Sequence, residues 1–296
     1  MNKSSILTAL LLTILSTALI APAFVIAQEV APKRAAAEKK TYHPATLTNI
    51  SRLYWALDRL DIEDDDYVNN YMFINECEIY QEYFYNEFQW GSVQQYARDY
   101  IGGNKEKFPV RIEFVQALRL GGYDFDKQAF TILPKYAING IRRFEVETID
   151  IKQDVCGLQH SQRIKGYPKA ILLEISRPIV VDSLPMPFDA ADKYIQEKTA
   201  EFKKLSRDAR KRSSIYNFRD IYIVFNVKFF SSAGDFYSQK QRTTLAKLLG
   251  VLESYEVYDD IGRKKLLYRV DYQKKKKKDK KPSVPTKEAT PANVTP

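Results

Sequence analysis

The 296-residue chain is 45% apolar and 28% charged, enough for one large folded domain or two small ones with a full hydrophobic core. Its formal charge of +9 suggests a basic, nucleic-acid-binding protein. The charge is unevenly placed, however: the last 23 residues hold eight lysines against Asp279 and Glu288, and residues 28–273 are almost neutral. Nucleic-acid binding by the folded body thereby loses its main support, because such domains carry their basic footprint on the fold itself.

Residues 1–27 have the build of an export signal. Lys3 supplies a positive start, Ile6 to Ile20 an apolar run, and Ala21 to Ala27 a stretch of small residues suited to cleavage. Cleavage is expected between Ala27 and Gln28, with Ala23 as the alternative site. An uncleaved N-terminal membrane anchor is the rival reading, since the run approaches the ~20 residues a spanning helix needs. Both readings place the body outside the cytoplasm, in the periplasm or beyond the cell. No cysteine stands at the junction, which disfavours a lipoprotein. Residues 28–45, rich in Ala, Lys and Pro without an apolar period, are expected to form a disordered spacer.

The first part of the body, residues 46–103, reads as helical. Ile50, Leu53, Tyr54, Leu57 and Leu60 recur at helical spacing after a cap at Thr48. Asp64-Asp65-Asp66 suits the start of a second helix, where carboxylates meet exposed amides and the positive end of the dipole. Ile74, Cys77, Tyr80, Phe84 and Phe88 fall three or four apart and are expected to form a core stripe. The pattern ends at Gly102-Gly103.

From Pro109 the period shifts to two. Val110-Ile112-Phe114 and Phe144 to Ile151 alternate with charged neighbours, and Ile171 to Ile175 and Ile179 to Val181 are short apolar runs. One helix interrupts between Asp189 and Leu205, fading into the basic segment Arg207 to Arg212. Ile221 to Phe230 is the most strand-like stretch in the chain. Leu245 to Tyr258, a turn at Asp259 to Gly262, and Leu266 to Tyr272 complete the body. The order predicts an α+β fold: a helical segment, then a mostly antiparallel sheet region over 109–273 with one interrupting helix. Lys274, Lys275, Lys276, Lys277, Lys278, Lys280 and Lys281 open a Lys/Pro-rich tail that is expected to be solvated and disordered.

Three segments carry a resemblance. Leu118 to Phe125 with Phe130, Leu184 to Ala191, and Arg219 to Phe225 resemble motifs of an exported bacterial domain family of unknown function. The similarity covers roughly residues 48–272. It implies an envelope or secreted protein and brings no activity or catalytic residue.

The residues themselves mark little chemistry. Cys77 and Cys156 are the two cysteines, and an oxidising compartment favours their pairing. A bridge would close a loop of about 80 residues, worth roughly 4 kcal/mol on the chain-entropy model. Buried free thiols are the alternative. Cys156 and His160 stand four apart, yet a zinc site needs further ligands and the other histidine, His43, lies in the spacer. Counting from Asp65, Asn69 and Glu76 fall where a calcium loop wants them, but Tyr67 and Asn70 break the pattern, so a charged helix start is expected. No metal and no cofactor is expected. The serine-hydrolase elbow and the phosphate and dinucleotide glycine loops are absent, and Gly102-Gly103 and Gly121-Gly122 read as turns.

The expectation is an exported, non-catalytic domain that binds an unknown protein or envelope component. Its lysine tail would add loose attraction to anionic lipid or polymer. An extracytoplasmic hydrolase using paired carboxylates and a subunit of an envelope assembly remain as alternatives.

Overall fold

The computed structural model describes residues 40–148, 156–157 and 164–272. The signal segment, the cleavage site at Ala27 and Gln28, His160 and the lysine tail lie outside the described residues.

Four helices come first: α1 (Leu47–Ala56), α2 (Asp65–Asn75), α3 (Cys77–Tyr83) and α4 (Glu87–Asn104). Side-chain caps set the starts of α1, α2 and α4. Thr46, rather than Thr48, caps α1 by accepting from the Asn49 amide at 3.1 Å. Asp64 caps α2 by accepting from the amides of Asp66 and Tyr67, which makes the acidic run a helix start. Asn86 accepts from Gln89 and opens α4.

The expected core stripe holds only in part. Ile74 is buried and Tyr80 and Phe84 pack half-buried against the core, but breaks at Glu76 and at Phe84 to Asn86 reset the helical phase, and Phe88 is 96% exposed. Gly102-Gly103 does not end α4, which runs on to Asn104.

The remaining elements are β1 (His43–Pro44), β2 (Arg111–Asp124), β3 (Ala129–Ile132), β4 (Ile138–Glu147), β5 (Ala170–Val181), β6 (Ser183–Pro185), α5 (Phe188–Lys203), α6 (Arg207–Arg212), β7 (Asp220–Ser238), β8 (Thr243–Tyr258) and β9 (Leu266–Asp271). Among the described residues the nine strands form one curled sheet in the order β4-β5-β8-β7-β2-β3-β6, with β1 beside β2 and β9 beside β8. The sheet is mixed rather than mostly antiparallel: β1 runs parallel to β2, and β5 parallel to β8. The second pairing follows from connectivity, because α5, α6 and β7 supply the crossover a parallel pair needs.

Two other expectations change with the sheet. Residues 41–45 belong to the fold and not to a spacer: His43 and Pro44 pair with Ile112 and Glu113, Ala45 is buried, and the Tyr42 hydroxyl donates to Glu253 at 2.7 Å. Gly121-Gly122 is no turn. It lies within β2 at a register shift, and a Cβ on Gly121 would stand 2.6 Å from Thr131 Oγ1.

One apolar cluster joins both parts of the chain, with Leu47, Ile50, Leu53, Val68 and Tyr71 of the helices meeting Ile112, Leu118, Ile223, Val227 and Leu248 of the sheet. The curl depends on close approach at Gly250, where a Cβ would lie 2.6 Å from Val227 Cγ1 and 3.2 Å from Leu173 Cδ1. That approach lets β5 and β7 lean together over β8, and it carries β4 round towards β2.

Candidate functional site

The curl leaves a cavity of about 690 Å³ between β2 and β4. Its floor is apolar: Phe114, Leu173, Ile179, Phe225 and Val227 are buried, and the Phe144 ring sits 6.1 Å from that of Phe225, centroid to centroid. Phe144 comes from β4 and Phe225 from β7, so this contact spans the curl.

Consecutive residues line the two sides, Phe114 to Ala117 from β2 and Arg143 to Glu147 from β4. Consecutive lining means that the cavity touches the strands along their edges and not on one face. Burial agrees. In the middle of β2, Val115, Gln116 and Ala117 are all exposed, although buried residues stand on either side of them.

Hydrogen-bond phase shows which groups face the cavity. Phe229 donates to Val110 and Leu120 donates to Arg219, so even-numbered β2 residues bond to β7 and odd-numbered ones point the other way. On that other side β1 pairs up to Glu113, and Leu133 donates to the Arg119 carbonyl. The backbone groups of Val115 and Ala117 therefore face the cavity. On β4, Thr148 donates to Lys169, so even-numbered residues bond to β5. Arg143, Glu145 and Glu147 turn their backbone groups away from β5, on the cavity side.

The polar rim belongs to β4 and the tip of the β7–β8 hairpin. Ser238 Oγ donates to Glu145 Oε1 at 2.8 Å, and Lys240 Nζ lies 3.3 Å from Glu147 Oε1, which also accepts from Gln241. Arg143 pairs with Glu174 at 3.3 Å, and Lys247 reaches the same carboxylate at 2.8 Å. Hydrogen bonding from Lys247 holds the Glu174 carboxyl below its ordinary range. Glu145 is the exception on the rim. Its Oε2 is buried, and among the described residues it has neither a hydrogen-bond partner nor an ion pair. Among the described residues no group of three His, Cys, Asp or Glu side chains is arranged to hold a metal ion.

The comparisons with known proteins meet this geometry in the middle of the chain. Residues 64–197 match a domain of unknown function, DUF4852. The DUF4852 match contains both cavity sides and the floor residues from β2, β4 and β5, whereas Phe225, Val227 and Lys240 lie beyond it. It also contains two of the three resembling segments; the third, Arg219 to Phe225, falls outside. No curated protein and no solved structure matches the chain.

Of the residues singled out in the sequence, the structure brings Cys77 and Cys156 together as a disulfide, with Sγ atoms 2.10 Å and Cα atoms 5.4 Å apart. Neither lines the cavity. Glu145, Ser238 and Lys240 were not legible as a site. Each is an ordinary polar residue at a strand end or turn, and they meet only because the sheet curls.

Proposed function

We propose that this is an exported, non-catalytic binding domain that takes its ligand in the cavity between β2 and β4. The cavity carries the reading: an aromatic floor for apolar groups and a rim carboxylate, Glu145, whose buried Oε2 has no partner among the described residues, are the ordinary makings of a binding site. Export is supported by the sequence of residues 1–27 and by the disulfide, which suits an oxidising compartment. Among the described residues no helix is long and apolar enough to cross a membrane, which says nothing of strands. The alternative as a carboxylate hydrolase draws less support, since Glu145 and Glu147 stand on one strand and Glu147 is engaged by Lys240 and Gln241.

The apolar fluorophore N-phenylnaphthylamine tests the cavity. It should bind the folded protein saturably and lose most of its binding in Gln116→Trp, because Gln116 is an exposed lining residue on the same strand face as Phe114 and its indole occupies the cavity. No binding, or equal binding by the variant, removes the reading.

The lysines from Lys274 to Lys281 would add a tether to anionic surfaces, worth about 1 kcal/mol per well-placed lysine. Deleting residues 274–296 should leave the thermal transition unchanged and reduce sedimentation with anionic vesicles at low salt. Unaltered sedimentation would remove the tether.

A further inference from the structure

We infer that the cavity's ligand is an extended polypeptide segment of a partner, added as a strand between β2 and β4. This rests on the binding reading above and names its ligand class. Along the cavity the sheet offers two open edges facing each other: the N–H and C=O groups of Val115 and Ala117 on one side, and those of Arg143, Glu145 and Glu147 on the other. Among the described residues no strand lies between them.

A ligand that satisfies both rows must present donors and acceptors in alternation on two opposite sides at strand spacing. A polypeptide backbone does this, whereas a lipid tail or an aromatic metabolite does not. The sheet also fixes the pairing sense. β2 is antiparallel to β7, β7 antiparallel to β8, β8 parallel to β5, and β5 antiparallel to β4. β2 and β4 therefore run in opposite senses, so an added strand is antiparallel to one edge and parallel to the other.

Side chains set the sequence preference. Alternate residues of the segment would meet Phe114, Phe144 and Phe225 and are expected to be apolar. Arg143 and Lys240 are already paired with Glu174 and Glu147, which among the described lining residues leaves the Glu145 charge unbalanced. Its buried Oε2 calls for a donor, so the segment is expected to carry a lysine or arginine there.

The probe is a capped hexapeptide alternating valine and threonine with one threonine replaced by lysine. In the intact protein it should slow amide hydrogen exchange at Val115, Ala117, Arg143 and Glu145. N-methylation of alternate peptide nitrogens keeps the side chains and removes the ladder on one side, and should weaken binding about tenfold or more. Ala117→Pro removes one cavity-facing N–H and spares the ladder to β7, so it should fold normally and bind the peptide at least about tenfold more weakly. Glu145→Gln should weaken the lysine peptide and leave its norleucine counterpart unaffected.

If N-phenylnaphthylamine binds in the cavity while the peptide does not, the cavity reading stands and the strand inference falls. Equal binding of the N-methylated peptide also overturns it. So does protection of the same amides that rises with protein concentration in the absence of peptide, because the occupant is then a second copy.

Discussion

Tyr167 shows how single polar atoms hold this aromatic-rich core together. Its ring is fully buried, and its hydroxyl accepts from Trp55 Nε1 at 2.9 Å while donating to the Tyr67 carbonyl at 2.9 Å. One oxygen thus serves α1, α2 and the segment leading into β5. Tyr167→Phe keeps the ring and its contact with Tyr54 but strands the buried indole N–H of Trp55, while the Tyr67 carbonyl keeps its place in the α2 ladder. An unpaired buried group costs about 1–3 kcal/mol, so the variant should unfold at lower urea with an unchanged slope. A midpoint equal to that of the parent would show that the hydroxyl is dispensable. Gly166 just before it is constrained by the same neighbour: its φ is +81°, and a Cβ there would fall 2.7 Å from the Tyr67 ring.

The disulfide acts at the scale of elements, since Cys77 opens α3 and Cys156 lies between β4 and β5, 79 residues later. Replacing both cysteines by serine should cost about 2–5 kcal/mol, mostly through a less constrained unfolded chain. Intact mass with and without reductant checks the bond itself: a two-proton difference supports it, and thiols alkylated without reduction refute it. How far the elements were legible follows from whether local signals act alone. The elements β8 and α5 and the first half of β7 read clearly because β-branched runs and helical spacing there agree with their burial, whereas residues 231–238, which complete β7, carry no such run. The stripe ending at Phe88 misled because a period-3.6 count cannot register a reset of phase by Asn86. Gly121-Gly122 misled for the converse reason: what fixes that pair is the approach of Thr131, a contact made across two strands.

At the scale of the whole molecule, the cavity was illegible because nothing local encodes it. Glu145 and Ser238 are 93 residues apart and meet through the curl that Gly250 permits. The abundance of tyrosine, by contrast, was plain in the composition, and its consequence is a steep limit to stability in alkali. Burial pushes the Tyr71 and Tyr258 hydroxyls up from 10.0 to about 12, and it drives those of Tyr54, Tyr167, Tyr194 and Tyr255 higher still. Each raised value means that the folded state holds its proton more tightly than the unfolded chain does. The associated stability is therefore complete below pH 10 and is lost as pH climbs through 12, where the unfolded chain gains by releasing protons the fold retains. Tyrosinate absorbance followed together with circular dichroism tests this. The buried set is expected to ionise late and in step with the loss of secondary structure, as one cooperative transition rather than a gradual curve. Completion of tyrosine ionisation while the dichroism stays native would mean that these hydroxyls reach water without unfolding, and the enclosed aromatic core described above would have to be abandoned.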